Sequence, residues 1–355
     1  MALPGFGAAA QERLCASTVL VIGAGGLGSP ALLYLAAAGV GRIVILDPDK
    51  VELSNLQRQI IFTMSDLASP KAEAAAARLQ ALWPELCVEP HVSAFTAENA
   101  RRFVRDCDAV VDGSDNFATR YLTSDVCAWE KKPNVYASIY RYEGQATVFA
   151  PHLGAPCYRC LFPVPPPPEA VPSCADGGVL GVLPGIMGSL QAGEAIKLLT
   201  GTGEPLTGRL CHVDLRTSRF REIRLRPDPE CPVCGKQPSI FEPVDYAEFC
   251  GVRQLPAHGG MDEAELRQLL ATAPTRLCVL DVRELWESAL QPWPHAQLHI
   301  PWAALPERVG ELPAAARIVT VCREGRRSAA AAGWLTEAGW PHTRWLRTGL
   351  MDWEE

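Results

Sequence analysis

The alternation of apolar runs with glycine turns and amphipathic stretches divides the chain into strand and helix segments. Thr18–Ile22 (TVLVI) is a short continuous apolar run of the kind that forms a strand covered on both faces. The turn Gly23-Ala24-Gly25-Gly26-Leu27-Gly28 follows, then a helical stretch to about Ala38. Arg42–Leu46 reads as a second strand ending at Asp47, and Lys71–Trp83 as a helix stopped by Pro84. Val88–Val92, Ala109–Asp112 and Asn134–Ser138 read as further strands, with helical stretches between them. Strands alternating with helices predict an α/β fold, a doubly wound parallel sheet. Pro163–Pro172 holds six prolines in ten residues and reads as loop. A helix over Pro184–Leu199 and strand-like runs at Leu210–Leu215 and Phe220–Leu225 complete this first domain, expected over residues 1–240.

A second α/β unit of 261–355 is expected after a linker at 241–260, where Pro243, Pro256 and the pair Gly259-Gly260 break any pattern. In it, Met261–Leu270 reads as helix, Leu277–Leu280 and Arg317–Val321 as strands, and Ser328–Ala338 as a helix ended by Gly339 and Pro341. The uncharged stretch Leu14–Gly41 is long enough to span a bilayer. Its six glycines and Pro30 instead spell strand, turn and helix, so a soluble protein without a membrane partner is expected.

Composition narrows the chemistry. The chain has 355 residues, 48% hydrophobic and 21% charged, with net charge −7. Residues 1–240 carry 22 basic and 24 acidic side chains, the remainder 11 and 16, so neither part has a nucleic-acid binder's basic excess. Thirteen cysteines, an odd number, and no Lys or Arg in Met1–Ala10 argue against a secreted disulfide framework. A reducing, cytoplasmic setting is expected, in which grouped cysteines point to metal or sulfur chemistry.

Gly23-x-Gly25-x-x-Gly28 between a strand and a helix puts backbone N–H groups where a phosphate can approach, with Gly26 inside the same turn. Asp47, nineteen residues past Gly28, stands where an acid binds ribose hydroxyls. This pair alone fits a nucleotide, NAD included. Asp49, Asn55, Arg58, Gln59, Lys71 and Ser114-Asp115-Asn116 add cations, carboxylates and amides that a dehydrogenase does not need. An enzyme whose substrate is attacked at an α-phosphate does need them, and Asp115 could hold Mg²⁺.

GAGGLGS, LDPDKVELSNLQRQ, the Pro70-Lys71 pair, DGSDNFATR and GVLPGIMGSLQAGEAIK together resemble the ThiF/MoeB/HesA family of adenylating enzymes, prokaryotic relatives of ubiquitin-activating E1. The resemblance covers about residues 3–236 and implies a Rossmann-like, E1-like adenylating domain using ATP. It implies Asp47 on the ribose, Asn55, Arg58, Gln59 and Lys71 on the phosphates, and Asp115 on Mg²⁺. Arg58, Lys71 and Asp115 would be catalytic, and Asp49 and Asn116 would help form the pocket. It also implies a homodimer, and a partner: a small ubiquitin-like sulfur-carrier protein activated at its C-terminal Gly-Gly as an acyl-adenylate. The family's R-Y-x-R-Q/H segment, which comes before the position of Leu3, is not part of this sequence.

The cysteines sort by spacing. Cys157-x-x-Cys160 and Cys231-x-x-Cys234 suit a closed, structural four-thiolate zinc site, with a pair of redox dithiols as the alternative. Many members of the resembled family carry the same two pairs. Cys174, in the Ser173–Gly178 segment after the proline-rich loop, is a candidate nucleophile; in relatives a cysteine here links covalently to the carrier or relays sulfur. Cys322 ends a strand and opens Cys322-Arg-Glu-Gly-Arg-Arg327-Ser328 ahead of a helix, a cradle that stabilises a thiolate. The same cradle serves phosphatases, because it also binds oxyanions. Leu280–Glu284 (LDVRE), His299-Ile300-Pro301 and Gly349–Trp353 decide for the alternative: together they resemble a rhodanese-type sulfurtransferase domain over about 249–355, whose cysteine carries a persulfide. The remaining seven cysteines are expected to be packing residues.

These expectations combine into one reaction. ATP and the carrier carboxylate give an acyl-adenylate, and a Cys322 persulfide, with Cys174 as relay, turns it into a thiocarboxylate; thiosulfate or a cysteine-desulfurase persulfide is the sulfur donor. The alternative is an E1-like activator that forms a carrier thioester, with the rhodanese-like unit only a docking module.

Overall fold

The TVLVI run lies inside a sheet because its apolar residues Val19–Ile22 are shielded there: four of its five positions are buried. A computed structural model describes residues 5–166, 178–250, 259–272, 277–313, 317–350 and 353. The chain divides into two compact units, Met1–Cys250 and Gly251–Glu355. No helix among the described residues is long and apolar enough to cross a membrane.

In the first unit, helix α1 (Gly7–Ala16) leads into β1 (Thr18–Ile22), α2 (Gly28–Ala38) and β2 (Arg42–Leu46). Then come α3 (Lys71–Leu82), β3 (Cys87–His91), α4 (Ala97–Arg105), β4 (Ala109–Asp112), α5 (Phe117–Trp129) and β5 (Asn134–Tyr140). After these follow β6 (Glu143–Phe149), α6 (Tyr158–Leu161), α7 (Val182–Thr200), β7 (Arg209–Asp214), β8 (Arg219–Arg224) and α8 (Tyr246–Phe249). The eight strands form one sheet in the order β3-β2-β1-β4-β5-β6-β7-β8. The five from β3 to β5 are parallel, and β6, β7 and β8 extend the sheet antiparallel. The parallel reading therefore holds for the half that carries the nucleotide motifs, and the sheet as a whole is mixed. Strand β6 has no counterpart in the sequence reading, because the β5–β6 turn uses Arg141 at φ +52 rather than glycine or asparagine. One apolar core lies on the α2, α3 and α7 face, and a second on the face covered by α4 and α5.

The second unit is a five-stranded parallel sheet, ordered β11-β10-β12-β13-β9. Its strands are β9 (Gly260–Met261), β10 (Leu277–Asp281), β11 (Leu298–His299), β12 (Arg317–Val321) and β13 (Arg344–Leu346). Its helices include α9 (Glu263–Thr272), α10 (Leu285–Leu290), α11 (Leu305–Arg308) and α12 (Arg326–Glu337). Met261, read from sequence as helical, instead pairs with Leu346 as the edge strand, and the helix starts after Asp262, whose carboxylate accepts the Glu265 N–H at 2.8 Å. Within the segment read as linker, Tyr246 and Cys250 are buried in the core of the first unit.

Candidate functional sites

The glycine turn at the end of β1 is shaped by backbone crowding. Gly23 lies at φ +87 and donates its N–H to Leu46 O at 2.8 Å. A Cβ on Gly28 would sit 2.0 Å from Gly23 O, so only glycine lets α2 begin there. Asp47, buried at the end of β2, accepts the Ala24 N–H at 2.8 Å and the Asp49 N–H at 2.9 Å, tying the acid to the turn. Burial pushes the Asp47 carboxyl up, against the Lys71 ammonium and those two N–H groups. Lys71, buried at the start of α3, reaches Asp49 Oδ2 at 3.0 Å. Gln59 is buried, its Nε2 3.9 Å from the place a Cβ on Gly25 would take, and the Arg58 stem and Pro184 lie over Gly26. Asn55 is buried and turns its Oδ1 to the Glu52 N–H at 3.2 Å.

Asp115 and Asn116 are exposed on the loop after β4. Asn116 caps α5, its Oδ1 accepting the Thr119 N–H at 2.9 Å. The structure thus brings the glycine turn, Asp47, Asp49, Lys71, Arg58 and Gln59 together at the carboxyl ends of parallel strands, where open α/β sheets bind ligands. Sequence reasoning passed over Asp112. It is fully buried beneath the Asp115 loop, where its Oδ1 accepts the Ser114 hydroxyl at 2.6 Å and the Ser114 N–H at 3.0 Å. Burial pushes its carboxyl up, with the Ser114 hydrogen bonds and Arg120 opposing. The signal was its position as the last residue of an apolar strand, two residues before a serine.

The four paired cysteines converge. Their sulfurs lie within 4.8 Å of one another, with Cys160–Cys234 at 3.3 Å, Cys157–Cys231 at 3.5 Å and Cys157–Cys160 at 3.8 Å. A zinc tetrahedron with ~2.3 Å bonds has sulfur–sulfur edges of ~3.8 Å, so the donor set fits that ion. The crowded thiols share protons unevenly: hydrogen bonding with Cys157 pushes Cys160 down to about 7, and Cys231 is also lowered, while Cys157 and Cys234 are raised. Between the first two of these cysteines, Arg159 makes a buried fork to Asp125 of α5, at 2.9–3.0 Å. The Tyr246 hydroxyl donates to the same carboxylate at 2.9 Å, and the guanidinium lies 4.5 Å from the Phe249 ring centroid. The Cys157–Cys160 segment, α5 and α8 are thereby packed together.

Cys322 is buried at the floor of its loop. The Ser328 N–H points at Sγ at 3.3 Å, and Ser328 Oγ lies 3.4 Å from it. Gly325, at φ +85, leaves no space for a Cβ, which would fall 2.1 Å from Arg347 O. Arg327 forms a fork with Glu287 of α10, at 2.6 and 2.8 Å. Against the upward push of burial, that pairing and the Glu284 N–H hold the Glu287 carboxyl below its ordinary range. Asp281 and Arg283 form a second buried fork at 2.6–3.0 Å, and His299 Nε2 lies 2.9 Å from Arg283 O. Cys174 lies outside the described residues. Of the cysteines expected to pack, Cys107, Cys127, Cys250 and Cys278 are buried and Cys211 partly so, but Cys15 and Cys87 are exposed and fill no core.

Both units match known families. Residues 1–233 match the ThiF family and residues 262–355 the rhodanese-like domain. The sulfur carrier protein adenylyltransferase of Thermus thermophilus is 52% identical over 71% of this chain and 95% of its own length. The probable adenylyltransferase/sulfurtransferase MoeZ of Mycobacterium tuberculosis is 42% identical over 99% of this chain and 90% of its own. Among solved structures, E. coli MccB shares the fold with a TM-score of 0.57 at 21% identity, over 64% of this chain and 68% of that one. With its glycine turn, its strand-end acids and a likeness that runs through both units, the chain belongs to the ThiF family and carries a C-terminal rhodanese-like domain.

Proposed function

We propose that the protein adenylates the C-terminal Gly-Gly carboxylate of a small ubiquitin-like sulfur carrier and then replaces AMP with sulfur held on Cys322. The observation that carries this reading is one chain holding both a glycine turn beside Asp47, Arg58 and Gln59 and a buried loop cysteine, alike over 99% of its length to a probable adenylyltransferase/sulfurtransferase.

In the first step a carrier carboxylate oxygen attacks the α-phosphorus of ATP, and pyrophosphate leaves with the electron pair of the broken bond. Asp47 holds the ribose hydroxyls, and the turn from Gly23 to Gly28 offers its N–H groups to phosphate. Asn55, Arg58, Gln59 and Lys71 stabilise charge on the phosphates. Asp115 would hold Mg²⁺, which supplies charge neutralisation at the phosphate oxygens. In the second step the terminal sulfur of the Cys322 persulfide attacks the acyl carbonyl and AMP leaves. The thiolate of Cys174, the proposed relay, attacks Sγ of Cys322 in the resulting acyl disulfide: a Cys174–Cys322 disulfide forms, the S–S bond to the carrier breaks and the thiocarboxylate leaves with its electron pair, and a thiol reductant then returns both cysteines to thiols. The four-cysteine cluster would hold Zn²⁺ as a structural ion, since it offers four protein sulfurs and no position for substrate. A reducing, cytoplasmic setting, a homodimer and loading by thiosulfate or a protein persulfide complete the reading; the described cysteines are free thiols, which supports the first of these.

ATP–pyrophosphate exchange with a Gly-Gly carrier, followed by intact-mass analysis of that carrier, tests the reading. Asp115→Ala is expected to abolish exchange. Cys322→Ala is expected to leave exchange intact and to lose the oxygen-to-sulfur mass change. Full thiosulfate-dependent sulfuration by Cys322→Ala would sink the donor role. Metal analysis is expected to find one zinc per chain, lost in Cys157→Ser.

A further inference from the structure

The residues that lie between the paired cysteines take no part in the reaction above, yet each pair carries one that reaches the last stretch of the first unit, residues 239–250. In the second pair, Pro232 lies between Cys231 and Cys234, and its carbonyl accepts the Ser239 N–H at 2.8 Å and the Ile240 N–H at 2.9 Å. Ile240 packs against Cys157, Cys231 and Val233, and its own carbonyl accepts the Trp129 Nε1–H at 3.0 Å. In the first pair, Arg159 lies between Cys157 and Cys160 and shares the Asp125 carboxylate with the Tyr246 hydroxyl of α8. Its guanidinium also lies against Phe249 of that helix. Between these two points, Arg101 donates to Phe241 O at 2.5 Å in an exposed bond. Asp125 and Trp129 are four residues apart on α5, hence on one face of it, and each receives one point of the departing segment. The two pairs stand 74 residues apart in sequence, and thiols alone hold such sulfurs together only weakly. A metal bound by all four joins the two grips into one.

We infer that the metal-loaded cluster is a clamp on the segment by which the chain leaves the first unit: it holds residues 239–240 through Pro232 and residues 246–250 through Arg159 and Asp125, and loss of the metal frees both points while the sheet stays folded. This rests on the reading of the four cysteines as a metal site, and it assigns what that site acts on. The sheet has support of its own. Val19 and Val21 of β1 and Val111 of β4 lie in the core under α2, α3 and α7, which contains no residue of the clamp. The first unit ends at Cys250. With the clamp open that end moves back ahead of Ser239, so metal occupancy sets the point from which the chain departs toward the unit that carries Cys322.

Amide hydrogen exchange of the full-length protein, read by mass spectrometry with zinc bound and after its removal by a chelator, tests the clamp. Removal is expected to speed exchange about 100-fold at residues 239–240 and 249–250, whose N–H groups bond to Pro232, Asp245 and Tyr246 carbonyls, and to leave β1 and β4 protected. Returning zinc should restore the protection, and Cys157→Ser should match the stripped protein. Tyr246→Phe keeps all four sulfurs, so it should still bind one zinc per chain. It should speed exchange about tenfold at 249–250 and leave 239–240 unchanged, because only one of the two points has lost a bond. Stripped protein that exchanges over 239–250 like the loaded protein would overturn the inference. So would a rise of equal size in β1 and β4, which would make the metal a support of the whole unit. A chain that binds no zinc sinks the metal reading and the clamp with it; one that binds zinc without protecting 239–250 sinks the clamp alone.

Discussion

The loops Gly23–Gly28 and Cys322–Arg327 are built on one plan and used in opposite ways. Each leaves a strand that has parallel neighbours on both sides, β1 between β2 and β4, and β12 between β10 and β13. Each enters a helix, and each needs a glycine in the left-handed region, Gly23 at φ +87 and Gly325 at φ +85. The first loop is walled by side chains from elsewhere in the unit, namely Asp47, Gln59, Arg58 and Pro184. The second closes on a sulfur of its own: the Leu350 N–H bonds to both Cys322 O and Arg323 O, at 2.9 and 3.0 Å. A helix N-terminus with a glycine turn is a general receptor for negative charge. Whether that charge arrives with a substrate or belongs to the protein is decided by what the chain packs around it.

The strongest way to break this comparison is to crowd each loop in turn. Gly28→Ala places a methyl 2.0 Å from Gly23 O, and Gly325→Ala places one 2.1 Å from Arg347 O. Each clash is with backbone, which cannot swing aside, so a loss of about 100-fold or more is expected at the altered site. Gly28→Ala should abolish ATP–pyrophosphate exchange and leave thiosulfate–cyanide transfer near the parent rate, and Gly325→Ala should do the reverse. If either variant lowered both activities equally, the two loops would not be independent devices.

A smaller effect separates the supports of the two loops. The first is tied through the Asp47 carboxylate to the Ala24 N–H, the second is braced by the Arg327–Glu287 fork. Glu287→Gln keeps the shape and removes the charge, and should lower sulfur transfer about tenfold with adenylation unchanged. The Glu287 carboxyl lies below its ordinary range in the folded protein, so the fork contributes its stability above the ordinary glutamate range and loses it as the pH falls through the lowered one. The second unit should therefore melt earlier in acid, and in the Gln variant this acid dependence should shrink. Melting curves of both proteins between neutral and strongly acid pH measure it.

How much of this could be read from the residues depends on whether the cause is local. The glycine turn, the strand-end Asp47 and the Cys322 loop are short runs whose conformation follows from their own residues, and the strands around them are continuous apolar runs. The two Cys pairs announced themselves by spacing, although 74 residues separate Cys157 from its neighbour Cys231. What holds that knuckle was not legible: Asp125, Arg159 and Tyr246 are ordinary residues in ordinary contexts, joined only when α5, α6 and α8 pack. Strand β6 was hidden for a different reason, since its turn borrows a left-handed arginine instead of a turn residue. Ser328 was visible as part of the loop motif, but the approach of its N–H and Oγ to Cys322 Sγ exists only in three dimensions.

The finest contrast lies between two buried aspartates at strand ends. Asp281, closing β10, receives both arms of Arg283 at 2.6–3.0 Å. Asp112, closing β4, has its Oδ1 taken by Ser114, while its Oδ2 is buried without a hydrogen-bond partner among the described residues. Burial raises the Asp112 carboxyl against Ser114 and Arg120. A raised carboxyl contributes stability below the ordinary aspartate range, and this is lost as the pH rises through the raised one. Near neutral pH the wild-type first unit thus carries a cost that an amide would not. Asp112→Asn keeps an oxygen for Ser114 and cannot ionise. It should melt at or about 2 °C above the parent near pH 8, with the difference vanishing toward pH 4. Asp112→Ala should melt lower at every pH, because Ser114 loses its acceptor and the Asp115 loop its floor. If the Asn variant were clearly less stable near pH 8, Asp112 would be ionised against Arg120. The two strand ends would then be charged pairs alike, and the contrast between them would disappear.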